Sequence, residues 1–99
     1  MHFPDQLCEA IAKRHVIRFT YSDPISILCV VAPHMLIWVE SRQEMFLCAF
    51  DMEGENIEEM REFIVHNISD IRLHGTHFTP RCDFFTFASS EAYRIICRA

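Results

Sequence analysis

The sequence predicts a mainly β, α+β domain, with one N-terminal helix followed by a small five-stranded antiparallel barrel. Three observations lead there. Apolar residues recur at helical spacing only near the start, and from Val16 the period becomes two. A long apolar run over residues 28–40 contains Pro33, which rules out one continuous helix. Two further short runs, residues 45–51 and 61–66, follow at spacings that suit adjacent strands.

Residues 5–15 read as the helix. Asp5 follows Pro4 and can cap the first turn, and Leu7, Ala10 and Ile11 make one apolar stripe. Lys13, Arg14 and His15 close it, where cations suit the helix dipole. Residues 16–21 alternate, with Ile17, Phe19 and Tyr21 on one face. Ser22-Asp23-Pro24 is a turn. The 28–40 run is rich in β-branched residues, so it reads as two strand segments bent at Pro33, where the proline predicts either a sheet edge or a bulge. Ser41-Arg42-Gln43-Glu44 turns into residues 45–51, apolar on both faces and therefore a central strand. Residues 52–60 form an acidic loop around Gly54. Residues 61–66 alternate again, placing Arg61, Phe63 and Val65 on one face. Residues 67–70 turn, and 71–74 make a last short strand; Phe19, Leu36, Leu47, Phe63 and Ile71 are expected in the core. The tail holds Phe78, Phe84, Phe85 and Phe87, and Ser89 or Ser90 can cap a C-terminal helix reaching Ala99. The domain is expected to span residues 1–80, with 81–99 an aromatic extension packing on the same domain or on a second copy.

Ninety-nine residues with 51% apolar content can hide roughly two thirds of the unfolded surface in a single core. The five cysteines (Cys8, Cys29, Cys48, Cys82, Cys97) are odd in number and widely spaced. All five are expected to be reduced, which points to a cytoplasmic location. The apolar stretches are too interrupted for a membrane span or a secretory signal. A net charge of −5 with one lysine argues against generic nucleic-acid affinity.

The order of helix, strand, Pro-containing strand, turn, aromatic-Leu strand and Arg-x-Phe strand resembles the WYL domain. That family has a Sm-like, SH3-type barrel and recurs in bacterial transcription regulators. The matching residues are 7–12, Ile17 to Tyr21, Val31-Ala32-Pro33 with Leu36, Met45-Phe46-Leu47 with Ala49 and Asp51, Arg61-Glu62-Phe63, and Asn67-Ile68. The family's Trp-Tyr-Leu reads Met45-Phe46-Leu47 here. Cys29 stands where an arginine is common, and Ile64-Val65-His66-Asn67-Ile68 replaces Arg-Leu-Asp-Arg-Ile. The resemblance implies ligand sensing, including of nucleic-acid fragments, through basic groups. Of those arginines only Arg61 is retained, so phosphate binding should be weakened.

The candidate ligand-binding residues are therefore Arg61, Phe46, His66 and His34. Arg61 alternates with Phe63, and its alternative role is an ion pair with Glu58 or Glu62. Phe46 occupies the family's aromatic position and is also suited to simple core packing, because Cys48 and Phe50 share its face. His34 and His66 can line the same groove or be ordinary hydrogen-bonded histidines. His74-x-x-His77 followed by Cys82 has metal-like composition, but the spacing does not converge ligands and no fourth ligand is evident. No metal, cofactor or catalytic residue is expected, and the chain is read as non-enzymatic: only Gly54 and Gly75 are glycines, so there is no phosphate loop, and no nucleophile–base pair has context. The expected function is a stand-alone ligand-sensing accessory domain acting through a regulator protein, or alternatively a protein-interaction module with a degenerate groove. The aromatic tail makes a homodimer the expected assembly.

Overall fold

In the computed structural model, residues 3–53, 60–81 and 92–99 are described. Helix α1 (Phe3–Lys13) is followed by β1 (His15–Ser22), β2 (Ser26–Val39), β3 (Glu44–Asp51), β4 (Met60–Ile64), a 3₁₀ turn (Val65–Asn67), β5 (Ile68–His77) and β6 (Tyr93–Arg98). Asp5 lies inside the first helical turn rather than capping it. The helix stops because Arg14 adopts the left-handed region (φ 61°), and its carbonyl accepts from the Phe78 N–H at 2.9 Å. At eleven residues, α1 is not long and apolar enough to cross a membrane.

The strands run β4-β3-β2-β1-β5, every pairing antiparallel, with β6 added to β2. This is the predicted small mainly β architecture. The 3₁₀ turn carries the chain from outer strand β4 directly into outer strand β5. Across the same gap the Tyr21 hydroxyl of β1 accepts the Ile64 N–H of β4 at 3.0 Å. Asp70 (φ 54°) lies within β5, near a break in its register with β1, so the expected turn at 67–70 is a 3₁₀ turn plus a bulged strand start.

β2 is one fourteen-residue strand rather than two, and its register with β3 slips between Pro33 and Met35. The sequence-based expectation of a bulge at the proline holds. His34 is the residue left over at the slip, because Pro33 pairs with Ala49 and Met35 with Cys48. An inner core gathers Leu7 and Ile11 of α1 with Ile17, Phe19, Val31, Leu36, Leu47 and Phe63. Phe19, Tyr21 and Phe63 meet edge to face at 5.1–6.4 Å. Of the expected core, Ile71 is only half-buried, since β5 is an outer strand. The opposite sheet face carries a second layer of Met35, Ile37, Phe46 and Cys48, and a third of Val16, Val30, Ala32 and Phe78.

Two expectations are corrected. Residues 93–98 are a strand, not part of a C-terminal helix. β1 stops pairing with β2 at Ile17–Val31, so the edge of β2 beyond it needs another backbone partner, and β6 pairs there with residues 35–39. A helix would satisfy only itself. Laying β6 beside α1 also joins Cys97 to Cys8 in a disulfide, with Cα atoms 5.8 Å apart. The cysteines are therefore not all reduced; a bridge across 89 positions leaves no local spacing signal. Cys29 and Cys48 are free and buried. Cys82, Phe84, Phe85, Phe87, Ser89, Ser90 and most of the acidic loop, Gly54 included, lie outside the described residues.

Candidate functional site

Arg61 sits on the inward face of β4, opposite Ala49 and two residues before Phe63. Asp51 ends β3 on that same face, one diagonal step away. The Arg61 guanidinium donates to both Asp51 oxygens, at 2.9 and 3.2 Å, and lies 4.6 Å from the Phe63 ring centre. Among the described residues its carboxylate partner is Asp51 rather than Glu62, and Glu58 lies outside them. Cys29 stands beside this pair, and burial pushes its thiol pKa up, against the pull of Arg61.

His34 is 1% exposed and sits on the other sheet face. Its Nδ1 lies 2.9 Å from the Ala32 carbonyl, and its Nε2 accepts the Arg81 N–H at 3.1 Å. The ring packs between Phe50 and Phe78, at 4.9 and 4.8 Å. Burial lowers its pKa, the nearby Arg81 charge adding to that and the Ala32 bond opposing it. This geometry defines a neutral imbedded imidazole, fully partnered. The Arg81 guanidinium covers Phe50 at 4.2 Å. Around this group is an open cavity of about 430 Å³, lined by Ala32, His34, Phe50, Asp51, Met52, His77, Phe78, Thr79 and Arg81.

Asp51 joins the two clusters, binding Arg61 on one side and lining the cavity on the other. The remaining candidates stand elsewhere. Phe46 is 4% exposed, packed with Ile37 and Cys48 under the Arg42 guanidinium at 5.8 Å. His66 is exposed on the 3₁₀ turn and borders a separate groove with Trp38 and Glu44. His77 of the His-x-x-His pair rests against the His15 ring at 4.4 Å. The four candidates are thus not brought to one groove; Arg61 and His34 are linked only through Asp51.

Sequence reasoning missed Asp51 as the partner of Arg61, and missed Phe50, Phe78 and Arg81 as neighbours of His34. The strand register held a signal for the first, because antiparallel pairing of 45–51 with 61–64 sets Asp51 near Arg61. Arg81 had none, being reached through a loop after β5.

No protein-family model matches the chain, and no curated protein matches it. Among solved structures, the chain is similar to Proteasome accessory factor B/C (PafBC) of Arthrobacter aurescens, with a TM-score of 0.69 and 24% identity over 83% of this chain. The chain spans 13% of the length of that protein. The likeness shows a shared fold alone, here one helix followed by antiparallel strands in one sheet.

Proposed function

We propose that this chain is a WYL-like regulatory module that acts by binding, not by catalysis, in the cytoplasm. The fold it shares with a segment of PafBC supports the regulatory reading. The observation that carries ligand binding is the cavity between Asp51 and Arg81, which has an aromatic floor with the Arg81 guanidinium over Phe50; Arg61 does not line it and is tied to it through Asp51. Aromatic rings and arginines together suit a short nucleic-acid fragment, whose bases stack and whose phosphates take charge-assisted hydrogen bonds. Arg81 supplies a guanidinium at the cavity itself, and Arg61 is paired with Asp51 at its rim. Asp51 works against an anion unless the ligand draws Arg61 away from it, so affinity should be modest. A role in transcription would run through another protein segment, since α1 is the one helix among the described residues.

The test is a titration with short single-stranded oligonucleotides at two salt concentrations. Salt-dependent binding that Arg61→Ala and Arg81→Ala each weaken supports sensing. Binding by neither wild type nor variants at either salt concentration rejects it.

A second reading, an interaction or dimerisation module, is favoured by one specific feature. Ile25, Ile27 and Leu28 at the β1–β2 hairpin are 75%, 47% and 67% exposed. Such a cluster of large apolar side chains suits burial against a second copy of the chain.

A further inference from the structure

β6 is held to the rest of the molecule in an unusual way. None of its residues is fully buried: Ile95 and Ile96 are 40% and 39% exposed, and Tyr93 and Cys97 are half-buried. It adds to β2 on one side only. The covalent tie is Cys97 to Cys8 in the middle of α1. Both sulfur-bearing residues are half-buried, whereas Cys29 and Cys48 are 5% and 0% exposed. Burial also drives the free thiols toward the inert form, with Cys48 pushed up to about 12. The bridge residues are thus more open to an attacking thiolate than the two free cysteines are, while those buried thiols are poor nucleophiles against the bridge.

The strand leads directly to the cavity. One residue past its end, the Ala99 N–H donates to the His34 carbonyl at 2.8 Å. His34 is the extra residue of the β2 bulge, and its ring forms the cavity floor between Phe50 and Phe78. The bridge, β6, Ala99 and His34 thus form a continuous run from α1 to the cavity.

We propose that the Cys8–Cys97 disulfide is a redox latch: a dithiol reductant opens it, β6 leaves the edge of β2, and the bulge at His34 loosens with it. The chemistry is thiol–disulfide exchange. One thiolate of the reductant attacks one bridge sulfur, forming a mixed disulfide and releasing the other cysteine. Its second thiolate then resolves that intermediate. The reductant leaves as its own disulfide, and Cys8 and Cys97 each gain a proton and one of the two electrons. The latch acts on the cavity assigned above to ligand binding, so its regulatory meaning rests on that reading; its existence does not, and the test needs no ligand.

Oxidised full-length protein is treated with dithiothreitol in native buffer, alkylated, and mapped peptide by peptide, with hydrogen exchange followed in parallel. Reduction should expose Cys8 and Cys97 while Cys29 and Cys48 stay unmodified. Exchange should rise roughly tenfold or more over residues 93–98 and at the β6-facing amides of 35–39, with β1 and β3 unchanged. Cys97→Ser should show the faster exchange with or without reductant. The His34 ring resonances should move on reduction and return on reoxidation. Three results would each overturn the proposal. The bridge could resist dithiothreitol in native buffer. It could open with no change in β6. Or protection could be lost throughout β1 and β3 in the reduced protein and in Cys97→Ser alike, which would make the bridge a general staple. Oligonucleotide binding that fails while the latch behaves as described would reject only the ligand reading.

Discussion

His34 donates from Nδ1 to the Ala32 carbonyl, because its Nε2 must accept the Arg81 N–H. A proton on Nε2 would set one N–H against another. Burial holds its pKa below the ordinary 6.5, so the folded chain resists a proton that the unfolded chain takes up readily. The sign follows: stability from this group is full above about pH 6.5 and falls as the pH drops toward the lowered folded value. Denaturant midpoints should therefore decline between pH 7.5 and 5.5, and His34→Leu should flatten part of that decline. The same substitution should cost on the order of 1–3 kcal/mol at pH 7.5 for each polar group it strands, measured by urea unfolding. Cys48 makes the complementary case. Burial pushes its thiol up to about 12, with Glu62 adding to the effect, so a thiol reagent at pH 8 should modify it only once the protein unfolds.

Strand β3 is buried on both faces, which makes it the most demanding element to alter. Leu47 lies opposite Leu36 and Phe63 and is 0% exposed. Leu47→Ala should cost about 2–5 kcal/mol, read from chemical denaturation. The Arg61–Asp51 pair, which bridges β4 and the end of β3, is different. The Arg61 side chain is 38% exposed, so the pair is worth at most about 1 kcal/mol after solvent screening. The Asp51 side chain is only 12% exposed, so Arg61→Ala strands its carboxylate and should lower the denaturant midpoint, whereas Arg61→Lys keeps the charge and is the better probe of binding. The legibility of these elements differed for a physical reason. β1 was readable because its alternation matches a local burial pattern, and β3 because a short run apolar on both faces suits a central strand. β6 was not, because Tyr93-Arg94-Ile95-Ile96-Cys97-Arg98 suits a helix or a strand, and only the vacant edge of β2 chooses.

Assembly belongs to the molecule as a whole. Phe78 is buried within its own chain against Val16, Val30 and Ala32, so it is not one of the rings available to a second copy. The proposed dimer contact rests instead on Ile25, Ile27 and Leu28. Light scattering should give twice 11.7 kDa, and Leu28→Glu should return the monomer mass. A wild-type protein that stays monomeric at high micromolar concentration removes the dimer.

The sequence alone determined the mainly β class, the helix before the barrel, the bulge at Pro33 and the inner core of Phe19, Leu36, Leu47 and Phe63. Each depends on periodicity or on a proline, both of which act within a few residues. It also singled out Arg61 and His34, though as members of one groove. Only the tertiary structure decided that Asp51 stands between them, that β6 completes the edge of β2, and that Cys8 meets Cys97. Those outcomes depend on which backbone edges remain unpaired and which side chains then come within a few ångströms, and positions 89 residues apart carry no local trace of that.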